Sequence, residues 1–409
     1  MRYIKRAVAL LLCMATLVMF AGCGEPEQAA KHLKVDQETT VTIWYNDESF
    51  QPYLELAAKQ FKSANELVTL NPVYVGSEDY LDMIYNDSIK NGGGPDVFMM
   101  SSDYVEKAYL MGLMLENDSF NDLNVNEVYG NAAVTASSYK NKLYGYPVTF
   151  NMPVMVYNTK YTGAMNTFTQ LKDYSDNYQV TEENAEVELV TQWDVSSMFI
   201  NYGFGGSYLN YGGTASEENT QVTVDDEKLK KAMTEFANLK SAFGIDRTKV
   251  NQADCVEMFA NNKLLYTIVD ANHLSKIDMS GVQYDVSAVP ALTEELQTQT
   301  MSTTTMAVVN PYSKQTEAAK AVARALSYDY ALEIEETSGY MCARGDYKKE
   351  KNLTAYENLH KIYSDSKVKA KYIGIGDLYM RYEIMIHQIW DGADLDTSYN
   401  TFKTNIDYK

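Results

Sequence analysis

The acids, histidines and cysteines of this chain are not spaced for catalysis. Carboxylate neighbours such as Glu333/Glu335 and Asp225/Asp226 fall in patterns of surface helix and turn, with no convergent acid–base pair among them. No Gly-x-Ser-x-Gly elbow and no His-Glu-x-x-His pair occurs, so neither an activated serine nor a helical zinc site is encoded. His32, His273, His360 and His387 are scattered without ligand spacing to Cys or Asp, and neither a structural metal nor a cofactor is expected. The run Gly92-Gly93-Gly94 lacks the Lys-Ser/Thr of a phosphate loop and reads as a helix end. What remains are residue types suited to reversible binding. The chain carries 33 tyrosines against 13 phenylalanines, an excess that suits a wet aromatic cleft, since a tyrosine offers an apolar face and a polar tip. The expectation is a binding protein rather than an enzyme.

Such residues need a scaffold, and in an open α/β sheet ligands bind beyond the carboxyl ends of the strands. Residues 40–45, TVTIWY, are an apolar β-branched run that predicts a buried strand ended by Asn46-Asp47. Trp44, Asn46 and Asp47 therefore stand at a cleft lip. Helical spacing over residues 50–64, a strand at 68–75, a helix at 80–90 and a short strand at 97–100 follow. The order strand, helix, strand predicts parallel pairing with right-handed crossovers. Met100, Ser101, Ser102 and Asp103 close the second such unit, and Asp103 could equally cap the helix at 104–111, whose C-cap is Gly112. Residues 141–158 are an apolar run broken by Pro147 and Pro153. Proline removes a ladder donor, so this stretch predicts a chain leaving one sheet for another, a hinge at which Phe150 and Asn151 face the cleft. Further helices are predicted at 228–242, 318–327, 354–364 and 376–390, with a strand at 264–269 before Asp270, Asn272 and His273.

At 409 residues the chain is too long for one ordinary core, and 45% apolar with 22% charged residues are globular values. Residues 1–22 carry Arg2, Lys5 and Arg6, an apolar run and the small pair Ala21-Gly22, the pattern of a secretion signal. Cys23 directly after it resembles a lipobox, which implies lipidation of Cys23. The residues that follow are polar and small, as a tether requires. A net charge of −20, made more negative by loss of the basic signal, argues against nucleic acid as a partner and favours neutral or cationic ligands. Cys255 and Cys342 form no disulfide framework and read as isolated buried thiols.

Several segments carry a resemblance. Gly94-Pro95-Asp96-Val97 followed by the Ala108…Gly112-Leu113-Met114 helix end, the run Lys142 to Val148 continuing to Val156-Tyr157-Asn158, and Met258-Phe259-Ala260-Asn261-Asn262-Lys263 occur in order over about residues 38–409. In this the chain resembles the maltose-binding-protein-like, family 1 extracellular solute-binding proteins of ABC importers. The resemblance implies an α/β, two-lobed periplasmic-binding-protein fold, class II-like, each lobe a mixed, mainly parallel sheet flanked by helices. It implies three hinge crossings: at 150–153, at 302–305 and near 336–341. The expected organisation is a lipoprotein signal at 1–22, a flexible tether at 23–37, a first lobe from 38–150 plus 305–337, and a second from 153–302 plus 340–409. Asp103 matches a sugar-contacting acid, Met100 replaces a frequent aromatic platform, and Asn151 stands where a carboxylate is often found. Trp193 and Tyr379 match stacking aromatics, while Val269-Asp270-Ala271-Asn272 stands where the family commonly reads Asn-Gly-Pro-Trp, so the hallmark tryptophan is missing. Implied is a monomeric, lipid-anchored, extracytoplasmic protein that captures an oligosaccharide for ABC permease subunits. A peptide or cationic amine as ligand, or a permease-independent surface sensor or adhesion lipoprotein, are the alternatives.

Overall fold

A computed structural model describes residues 28–212, 218–346 and 353–406. The signal segment and Cys23 lie outside the described residues. The apolar alternation of Thr39–Tyr45 (β1) buries Val41, Ile43 and Tyr45. The helix Gln51–Ala64 begins with Pro52 in its first turn and turns Tyr53, Leu54, Ala57 and Phe61 inward, so burial of one stripe fixes it on the sheet. It carries the chain over to Val68–Tyr74 (β2), which lies parallel to β1, and Val97–Ser101 (β3) pairs parallel on the other side of β1.

The remaining pairings of the first sheet are antiparallel, except that the short strand Lys367–Val368 joins Met301–Val309 in parallel. Met301–Val309 pairs with β3 and with Tyr146–Asn151, and Met341–Cys342 adds to Tyr146–Asn151 at the edge. The second sheet holds Tyr284–Ser287, Pro153–Asn158, Leu264–Asp270 and Leu189–Thr191 in that order, and only the last pair is parallel. The expected mainly parallel pairing thus describes β1 to β3, whereas Met301–Val309 runs antiparallel to β3 and Pro153–Asn158 antiparallel to Leu264–Asp270.

The proline reading of the hinge matches the geometry. Tyr146–Asn151 ends in the first sheet, Met152 is fully buried, and Pro153 opens a strand of the second sheet. A strand's first residue is where a missing donor costs least. The Met152 carbonyl accepts from Ala271 N at 2.9 Å, joining this crossing to the end of Leu264–Asp270. Asn151 stands opposite Thr303 on Met301–Val309, the strand of the second crossing.

Two boundaries differ from expectation. At 336–341 the chain has not left the first sheet, because Met341–Cys342 pairs with Tyr146–Asn151. The helix Leu353–Ser364 that follows lies against both sheets, Tyr363 stacking on Phe150 and Asn358 donating to Asp285 of Tyr284–Ser287. The third crossing follows that helix, where Lys367–Val368 pairs with Met301–Ser302. Gly339 has φ +73 and only turns the chain back. Part of the expected tether is also built into the first lobe: Ala29–His32 is a helical turn, Ala30 is fully buried, and Asn65 Nδ2 donates to the Ala30 and Leu33 carbonyls. The two alanines are small enough to lie flat on the lobe, a packing role that a polar average conceals.

Candidate functional site

A cavity of about 870 Å³ opens at the carboxyl ends of β1, β2 and β3. Asn46 and Asp47 line it after β1, Tyr74 and Glu78 at and after β2, and Met100, Ser101 and Tyr104 at and after the end of β3, with Thr305 from the antiparallel neighbour. Asp47 is held from both sides, Oδ1 accepting from Ser49 N at 3.0 Å and Oδ2 from the Tyr340 hydroxyl at 2.7 Å. Two aromatic faces stay open to solvent here: Tyr74 is 43% exposed and Tyr104 is 51% exposed. Gly76 makes room for the first. A Cβ at residue 76 would fall 2.6 Å from the Tyr74 hydroxyl oxygen.

The other predicted residues after these strands do different work. Trp44 is partly buried in a small apolar cluster that includes Met100, which is itself buried. Ser102 is fully buried and its hydroxyl accepts from Thr304 N at 3.1 Å, locking β3 to its neighbour. Ser101 Oγ accepts from Asp103 N at 3.4 Å, and Asp103 Oδ2 receives Lys369 Nζ at 2.5 Å.

At the hinge, three buried acceptor oxygens have no hydrogen-bond partner among the described residues: Asn151 Oδ1, Asp270 Oδ1 and Asn272 Oδ1. They sit on strand ends joined by the Met152–Ala271 hydrogen bond. Asp270 Oδ2 accepts from Gln252 Nε2 at 3.1 Å, and the same nitrogen lies 2.8 Å from His273 Nδ1. Burial, helped by repulsion from Asp194, pushes the Asp270 carboxyl up to about 6. Burial also lowers the His273 imidazole, with Lys276 adding to the effect. Buried acceptors of this kind cost free energy until a donor reaches them, so the hinge offers hydroxyl-accepting positions.

Three expected contacts are placed elsewhere. Phe150 is buried and stacks on Tyr363 with centroids 4.0 Å apart and planes 10° apart, because strand alternation turns it away from the face that Asn151 presents. Trp193 is fully buried among Phe168, Phe204, Phe243 and Trp390, and its indole donates to Asn201 Oδ1 at 3.0 Å. Tyr379 is buried too, its hydroxyl accepting from Ala370 N at 3.1 Å and its ring edge-on to Tyr202. Trp193 and Tyr379 stabilise the second lobe, and Phe150 packs at the end of the first sheet. Sequence reasoning passed over Tyr74 and Tyr104, although Tyr74 ends β2 and Tyr104 lies three residues past the end of β3, and nearness to a strand's carboxyl end is the signal that locates them.

No helix among the described residues is long and apolar enough to cross a membrane. The profile of the family described as bacterial extracellular solute-binding protein matches residues 46–328, more than half the chain. A galactooligosaccharide-binding protein of Bacillus subtilis (strain 168) is 20% identical over 301 residues, 71% of this chain and 69% of that protein. A maltotriose-binding protein of Pyrococcus abyssi is 27% identical over 177 residues, 42% of this chain and 37% of that protein. An extracellular solute-binding protein from Staphylococcus aureus, solved in complex with maltose, superposes with a TM-score of 0.75 at 17% identity, covering 91% of this chain and 99% of that one. Fold and family profile agree: the chain belongs to the bacterial extracellular solute-binding proteins, with their two-lobed α/β architecture.

Proposed function

We propose that the protein captures an oligosaccharide or related carbohydrate in the cleft between its lobes and presents it to an ABC permease, held at the membrane by a lipid on Cys23. The observation that carries this reading is the first-lobe cavity, where the open faces of Tyr74 and Tyr104 stand beside Asn46, Asp47, Ser101 and Thr305. Sugars present flat C–H faces and hydroxyl edges, and these side chains supply a surface for each. The hinge oxygens of Asn151, Asp270 and Asn272 add acceptors from the second side. The Bacillus and Pyrococcus relatives, which bind galactooligosaccharide and maltotriose, support the same class of ligand. Closure follows from bridging. A ligand that touches both lobes favours the closed arrangement, and the shift is what a permease reads.

A thermal-shift panel of neutral oligosaccharides, amines and short peptides tests the ligand class, because only a bound ligand raises stability by mass action. Stabilisation by neutral oligosaccharides is expected. A response confined to amines would instead favour the second reading, which rests on the carboxylates of Asp47, Glu48 and Glu78 in the cavity wall, where Lys107 already pairs with Asp82 at 2.7 Å. For the anchor, Cys23→Ser should release the protein from the cell surface, and retention on the membrane would rule out lipidation at that residue. Genes for two permease subunits beside this one would support delivery; their absence would favour a surface sensor or adhesion role.

A further inference from the structure

Three lysines punctuate the third crossing: Lys367, Lys369 and Lys371. Lys367 Nζ donates to the Gly206 and Leu209 carbonyls of the second lobe at 3.1 and 2.7 Å. Lys371 Nζ donates to the Thr135 and Ser138 carbonyls, at the end of the first-lobe helix Val125–Ser137, at 2.7 and 2.6 Å. The outer two therefore stitch the crossing to both lobes. Lys369, between them, reaches Asp103 Oδ2 at 2.5 Å, and the two side chains are only 22% and 23% exposed.

Both members of this pair are held in place. Lys369 N donates to the Ser302 carbonyl at 2.9 Å, and its ammonium lies 5.4 Å from the centre of the Tyr379 ring. Asp103 sits between Ser102, which is locked to Thr304, and Tyr104, which forms the cavity wall. Its Oδ1 is buried and has no hydrogen-bond partner among the described residues. A lone half-buried carboxylate would be a counter-ion for a cationic ligand. With an ammonium 2.5 Å away the pair is neutral as a unit, and Oδ1 is left as an acceptor suited to an uncharged hydroxyl donor.

We infer that Lys369 is a specificity-determining residue of the cleft: by pairing with Asp103 it directs that side of the site toward neutral hydroxylated ligands and away from amine-bearing ones of the same shape. The inference rests on the carbohydrate reading above. The carboxylates of Asp47, Glu48 and Glu78 line the cavity, whereas Asp103 and Lys369 adjoin it behind Ser101 and Tyr104, so a difference between Lys369 variants reports on the Asp103 side alone.

The test is calorimetric titration of the wild type, Lys369→Met and Lys369→Arg with maltotriose and galactotriose, each beside a derivative in which one hydroxyl is replaced by an amine. The wild type should bind the neutral member of a pair more tightly. Lys369→Met should weaken the neutral sugar about tenfold and narrow or reverse the preference, and Lys369→Arg should keep it. A purely structural role would lower both affinities together and leave their ratio unchanged, which overturns the inference, as does a wild type that prefers the amine. Should Lys369→Met fail to fold, Asp103→Asn decides: this uncharged isostere should retain the neutral preference, and its loss would overturn the proposal. A wild type that binds none of the four probes refutes the carbohydrate reading itself for these sugars, and the inference with it.

Discussion

Aromatic side chains are abundant in both lobes, yet they do opposite work in the two. Around Trp193 in the second lobe they face one another: Phe168, Phe204, Phe243 and Trp390 close the indole off completely. At the cavity of the first lobe Tyr74 and Tyr104 each keep one face in solvent beside short polar side chains. The difference teaches that density of aromatics marks a core as readily as a site. What sets Tyr74 and Tyr104 apart is a position at or just past the carboxyl end of a strand, where open α/β sheets bind ligands, with the ring left exposed.

The comparison breaks most visibly at Trp193. Trp193→Ala should cost about 3–5 kcal/mol of stability in denaturant unfolding, since it opens a cavity and leaves the Asn201 Oδ1 acceptor without its donor. Ligand affinity of the folded fraction should hold. A large loss of affinity with stability intact would return Trp193 to the cleft.

The hinge supplies the next effect, through Asp270. Its folded value of about 6 lies above the ordinary 3.8, so the native state binds more protons than the unfolded chain between those values. Stability should therefore fall as pH rises from about 4 to about 6, by on the order of 1–3 kcal/mol from this group. Asp270→Asn should remove that part of the slope, and identical Tm–pH profiles for the two proteins would contradict the assignment.

At the cavity itself the expected effects are smaller in energy and confined to binding. Tyr104→Ala should weaken saccharide binding about tenfold with little change in Tm, because a half-exposed ring contributes little to the core. Asn151→Ala should weaken it about fivefold through loss of one acceptor at the hinge. If Trp193→Phe lowered affinity more than Tyr104→Ala, the division between core and platform would have been drawn the wrong way round.

Much of the fold was legible because its signals are local. The alternation of Thr39–Tyr45, the inward stripe of Gln51–Ala64 and the glycine caps at Gly112 and Gly244, with φ +68 and +66, each need only neighbours in the chain. The proline-marked hinge also showed itself locally, since Pro153 opens its strand. Side-chain direction did not. Whether Phe150 or Asn151 meets the cleft depends on the register of the strands on either side, and Tyr363, the partner that claims Phe150, lies far along the chain. The third crossing was missed for a similar reason: Gly339 looks like an exit, and only the pairing of Met341–Cys342 with Phe150 and Thr149 shows that the chain stays. The Asp103–Lys369 pair joins residues 266 positions apart, beyond the reach of any local pattern.

The most direct measurement is small-angle scattering of the wild type with and without an oligosaccharide that raises its Tm. A decrease in radius of gyration at saturation is expected if Tyr74, Tyr104 and the hinge acceptors are two sides of one closing cleft. A saturating saccharide that leaves the radius of gyration unchanged would contradict it.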